Sequence, residues 1–195
     1  MMLDMGFPVE IQTLTVGDSN ETGTVGEDNV RMESAHIRVA LQGQDVYRIS
    51  LWSVTDVFLN LAVDISREGF DVLRREQQLV VGFEGFPSAL KKLLTACTTE
   101  RVTHAALLVV DNDSVSLHIV CKMEHKIVEL LAISLNRLSG SDLQNAVQAR
   151  FSELQSRLEV AEAKVVEFSS MVRSGKVPSL LSKAAQQHAH HKPSW

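Results

Sequence analysis

Phe151, Leu154, Leu158, Ala161, Val165, Phe168 and Val172 recur at alternating spacings of three and four. That spacing puts apolar residues at the a and d positions of a heptad, along one stripe of one helix. The stripe must bury itself against a partner helix or against the rest of the chain. It follows about 130 residues that read mostly as strands and turns. A strand-rich head feeding one seamed helix suggests a protein that assembles with copies of itself, not an enzyme.

The remainder of the 195-residue chain divides by its periodicity. Val9 to Val16 is a possible first strand. Gly17 to Asn29 is rich in Gly, Ser, Thr, Asn and acids, and reads as a mobile loop. Ile37, Val39 and Leu41 alternate, Gly43-Gln44-Asp45 turns the chain, and Tyr47, Ile49 and Leu51 alternate again, which predicts a hairpin. Val57, Leu59, Leu61 and Val63 make a third run. Ser66 is placed to cap a helix running to about Gln77. Leu79 to Phe83 is extended, and Pro87 opens a second helix with Leu90, Leu93 and Leu94 on its apolar face. Ala105 to Val110, Val115 to Val120 and Val128 to Leu135 are further strands, with a turn at Asp111-Asn112-Asp113 and a polar loop at Lys122 to Lys126. Ser141-Asp142-Leu143-Gln144 reads as a capping box with Ser141 as the cap, opening a helix to about Arg173. Ser174-Gly175 and Pro178 stop it.

The expected fold is α+β: a small antiparallel β-barrel or sandwich with an inserted helix–turn–helix, then one long C-terminal helix. The expected partition is 1–36 as N-terminal strand and mobile loop, 37–138 as head with the helix–turn–helix at 66–97, 139–173 as seamed helix, and 174–195 as flexible tail.

Composition narrows function mainly by exclusion. The net charge of −5 and the lack of a Lys/Arg cluster argue against a nucleic-acid groove. No apolar run approaches the roughly 18 residues of a membrane span. Asp4 and Glu10 interrupt any secretory signal. Cys97 and Cys121 fit reduced buried thiols of a cytosolic protein. Gly23-Thr24-Val25-Gly26 lacks the spacing and Lys of a phosphate loop. The Asp111 turn lacks the Gly and distal Glu of a calcium loop. His188, His190 and His191 sit in a polar tail without carboxylates or thiols. No catalytic constellation, cofactor or metal site is expected.

Val80-Val81-Gly82-Phe83-Glu84-Gly85-Phe86-Pro87, with Leu90 and Leu93-Leu94 after it, resembles the head domain of the spindle assembly abnormal protein 6-like family, whose members build the centriolar cartwheel. Asp64-Ile65-Ser66, Phe70, Leu73 and Gln78-Leu79 belong to the same block. Met123-Glu124-His125-Lys126-Ile127-Val128-Glu129-Leu130-Leu131 and Pro178-Ser179-Leu180-Leu181 resemble the six-like paralogue group. The resemblance spans about Ile37 to Leu181. It implies a barrel or sandwich head with a helix–turn–helix clasp, an architecture shared with DNA end-joining scaffolds.

In cartwheel proteins a coiled coil pairs two chains, and a hydrophobic knob on a loop enters a pocket on the next head. By resemblance the knob falls at Ile127, with Lys126 and His125 in its loop, although the Asn-Pro and Phe common there are missing. Judged by position alone, Ile127 begins the last strand and faces the core. Phe83, Phe86 and Leu90 are the pocket candidates, with intradomain core as their alternative. The seam spans about 30 Å, short for an isolated two-stranded coil, and the long coil of cartwheel proteins does not follow. The resemblance therefore implies a structural protein forming dimers or larger homo-oligomers, with other centriolar or cytoskeletal partners. It would act at a centriole, basal body, flagellar base or apical complex, without nucleic acid or membrane. The alternative is an end-joining scaffold binding a partner protein or DNA.

Overall fold

Strict alternation carries most of the head. In Val46–Ser53 every second side chain, from Tyr47 to Ser53, is buried, the pattern of a strand with one face on a core. A computed structural model describes residues 3–13, 29–111 and 114–173. The chain divides into two units, 1–144 and 145–195.

In the first unit the order is β1 (Leu3–Thr13), β2 (Asn29–Gln42), β3 (Val46–Ser53), β4 (Asn60–Ser66), α1 (Arg67–Glu76), α2 (Phe86–Thr99), β5 (His104–Val110), β6 (Val115–Lys122) and β7 (Ile127–Arg137). The strands close into a barrel in the order β1-β2-β3-β4-β7-β6-β5, so of the two forms expected it is the barrel that forms. Six neighbouring pairs are antiparallel, and the seventh, β1 with β5, is parallel over Glu10–Thr13 against Leu107–Val110. A closed ring of seven strands cannot alternate direction all the way round, so one parallel pair is obligatory.

The first two strands differ from expectation. β1 begins at Leu3 rather than Val9, and β2 begins at Asn29, so the expected loop ends there and residues 29–36 are strand. Eleven register pairs, Leu3 with Val39 to Thr13 with Asn29, hold these less patterned segments in the sheet. The part of the expected loop before Asn29, with residues 14–16 of the expected first strand, lies outside the described residues. The run beginning at Val57 is strand only from Asn60. The Asp111 turn is described only at Asp111.

The clasp forms as its caps direct. The Ser66 hydroxyl accepts from the Gly69 N–H at 3.1 Å, Glu68 sits in the first turn of α1, and Arg74 and Arg75 sit in the last. These charges complement the helix dipole. Leu79 to Phe83, expected to be extended throughout, ends in a short 3₁₀ turn at Phe83–Gly85, and Pro87 then sits in the first turn of α2. Under the clasp, Tyr47 stacks on Phe83 with ring centres 4.4 Å apart, and Phe70 lies 5.1 Å from Phe86. Leu90, Leu94 and Cys97 of α2 join the same core. Cys97 and Cys121 are free thiols.

The last helix, α3 (Gly140–Arg173), begins one residue before the expected cap. The Leu143 N–H donates to the Ser139 carbonyl at 3.4 Å, which puts Ser139 at the cap position and Ser141 inside the first turn. Gly140 has φ +54°, a conformation an L side chain rarely adopts. The expected stop at Ser174-Gly175 and Pro178 and the histidines of the tail lie outside the described residues.

Candidate assembly surfaces

The β6–β7 hairpin closes through the Met123 N–H, which donates to the Lys126 carbonyl at 2.8 Å. Glu124, His125 and Lys126 are exposed at its tip. Ile127 opens β7 opposite Lys122 and is 66% exposed. A core-facing Ile127 is the reading that strand position alone favours, and the reason it fails is local. Leu131, Ile133 and Leu135 face the core, and an unbroken strand would give Ile127 the same phase. However, Ile119 pairs with Leu131 while the next residue, Val120, pairs with Glu129. Leu130 is therefore an extra residue, a β-bulge that flips the phase of everything before it. Glu129 consequently points outward, where its carboxylate meets His118, and Ile127 points outward with it.

Two anchors hold this arrangement. The Gln77 side chain, at the end of α1, donates to the Ala132 carbonyl at 2.7 Å and accepts from the Ala132 N–H at 2.9 Å, clamping β7 just past the bulge. At the hairpin base, the Lys122 N–H donates to the Thr103 carbonyl at 2.6 Å. That bond lays the 101–103 turn against the hairpin, and the turn carries Val102, 88% exposed. Ile127, Met123 and Val102 thus form an exposed apolar group on two adjoining loops. Sequence reading missed Met123 and Val102 because neither belongs to a periodic pattern.

Phe83, Phe86 and Leu90, the expected pocket candidates, are inside the head core at 4%, 1% and 0% exposure. They pack beneath the clasp against Tyr47 and Phe70, so none of them lines an open surface.

In α3 the seam residues Phe151, Leu154, Leu158, Ala161, Val165, Phe168 and Val172 are all exposed, the early positions as much as the late ones. The stripe of apolar side chains therefore faces water for about six turns of the helix.

Among the described residues no group of three His, Cys, Asp or Glu is placed to hold a metal ion, and no helix is long and apolar enough to cross a membrane. Burial pushes the Cys97 thiol up to about 11.

Compared with known proteins, residues 2–135 match the model of the centriolar protein SAS N-terminal domain. No curated protein sequence matches the chain. Among solved structures, an N-terminal fragment of Leishmania SAS-6 containing part of its coiled coil is 18% identical with a TM-score of 0.72, over 88% of this chain and 98% of that one. The N-terminal coiled-coil dimer of C. elegans SAS-6 is 13% identical with a TM-score of 0.62, over 81% of this chain and 92% of that one. A fragment of Drosophila melanogaster Sas-6, dimerised via its coiled-coil domain, is 10% identical with a TM-score of 0.68, over 96% and 90%. These likenesses extend the common fold from the barrel into the helix that follows it.

Proposed function

The chain belongs to the centriolar SAS family through its N-terminal domain, and from that premise we propose that it is a non-enzymatic structural protein that self-associates through two surfaces. One is the α3 seam, which pairs two chains. The other is the β6–β7 hairpin tip, where Ile127 is the knob that enters a neighbouring head and His125 and Lys126 shape its approach. The site of action is a centriole, basal body or related microtubule-based structure, at the flagellar base or apical complex. The solved relatives dimerised through their coiled coils support the first surface.

The observation that carries the second is the outward aim of Ile127, which the bulge at Leu130 produces and Gln77 holds. An exposed Ile on a clamped hairpin costs little ordering entropy when it docks. Burying the rest of its side chain contributes about 1–2 kcal/mol, since a fully exposed Ile contributes about 1.5–3. One such knob gives weak association, which pairing through the seam multiplies by holding two knobs in one particle. The test is Ile127→Glu, followed by sedimentation velocity over a concentration series. The expected result is an unchanged melting temperature with head–head association lost and seam dimers retained. Unchanged association in the folded variant sinks the knob assignment.

A further inference from the structure

Phe58 is 80% exposed, yet it sits in a loop built to hold it still. The Ser53 hydroxyl accepts from the N–H groups of Thr55 and Asp56 at 3.1 and 2.9 Å. Asp56 accepts from the Phe58 N–H at 2.9 Å, and the Ser53 N–H closes the loop onto the Leu59 carbonyl at 3.1 Å. The Val54 N–H ties the loop to the Ser34 carbonyl of β2 at 2.9 Å, and Arg31 reaches Asp56 at 3.8 Å. Val54 and Val57 of the same loop are exposed as well. An exposed aromatic ring on a loop backbone pinned in this way, with aliphatic residues in the same loop, has the character of an interface anchor.

Its place in the barrel indicates what covers it. Strand direction puts the β3–β4 loop at the end where β7 finishes, opposite the β6–β7 tip that carries Ile127. The Leu138 N–H donates to the Asn60 carbonyl at 2.9 Å, so the loop adjoins the point where the chain enters α3 at Gly140. A parallel pairing of two α3 helices brings both of these roots, and both Phe58 loops, to the same end of the coil. The seam alone is about 30 Å long, marginal for a free coil, so a dimer built on it needs apolar contact beyond the stripe.

We infer that Phe58, with Val54 and Val57, packs on the root of the α3 helix of a second copy of this chain, extending the seam contact onto the head. This rests on the seam reading above. The measurement is sedimentation velocity of the full chain as Phe58→Asp, with Phe58→Ala as a variant that removes the ring without adding charge, and Leu158→Glu as the seam control. Both Phe58 variants are expected to weaken dimerisation at least tenfold while the head melts as before. A dimer that survives Leu158→Glu overturns the seam reading, and the inference with it. A dimer lost in Leu158→Glu but of unchanged affinity in both Phe58 variants overturns the inference alone. It is also overturned if the Phe58 variants lose only the association that Ile127→Glu removes, since the ring then belongs to the head–head contact. A photoreactive group at position 58 is expected to crosslink to residues 138–151 of the second copy, and capture of the chain's own 174–195 segment overturns the inference.

Discussion

Phe86→Ala separates a core residue from a pocket residue. The Phe86 ring is 1% exposed, lies 5.1 Å from Phe70 and 6.5 Å from Tyr47, and packs under the clasp near Leu90. Removing a phenyl ring of this kind takes roughly 150–200 Å² out of the buried apolar area, about 4–5 kcal/mol at 25 cal/mol/Å². The alanine methyl retains about 1 kcal/mol of that, and the cavity left behind adds to the loss. The expected cost is therefore about 3–5 kcal/mol. For a unit of this size it lowers the melting temperature by roughly 10–20 °C. Urea titration followed by circular dichroism measures it, with the midpoint falling and the slope unchanged. Association at a temperature where the variant remains folded should be close to that of the parent chain. A loss of stability below about 1 kcal/mol together with abolished association would refute the reasoning, because that is how a surface pocket behaves.

Two further outcomes follow from the chemistry of single groups. Burial raises the Asp4 carboxyl, but hydrogen bonds and charge from His36 and Arg38 outweigh it and hold its pKa below the ordinary value. A depressed carboxylate contributes stability above its unfolded pKa of about 3.9 and loses it as pH falls through the folded value. Asp4→Asn should thus melt below the parent at pH 7, with the gap closing under pH 4; a gap that is the same at pH 7 and pH 3 contradicts the ion pairing. Cys97, at 2% exposure with its thiol pushed up to about 11, should resist iodoacetamide at pH 8 in the native state and react in urea. Mass spectrometry showing Cys97 alkylated at equal rates in both states would contradict its burial.

The sequence by itself determined whatever depends on neighbours a few residues away. Alternation marks β3 and the core faces of β5 and β6, the Ser66 hydroxyl and Pro87 mark where α1 and α2 begin, and the three-four spacing marks the α3 seam. The blocks around Gly82 and His125 carry the resemblance to the family. Tertiary structure decided what depends on pairing between distant segments. The parallel contact of β1 with β5 joins residues nearly a hundred positions apart and follows from closing an odd number of strands. The aim of Ile127 turns on one surplus residue in β7, visible only against its partner β6, because a strand's period of two is reset by a single bulge. Phe83, Phe86 and Leu90 look equally apt for a pocket and a core, and only the docking of the clasp onto Tyr47 and Phe70 buries them. Hydrophobicity specifies that such side chains are drawn out of water, while the fold specifies which of them have left it and which, like Ile127, Phe58 and the α3 seam, stay exposed.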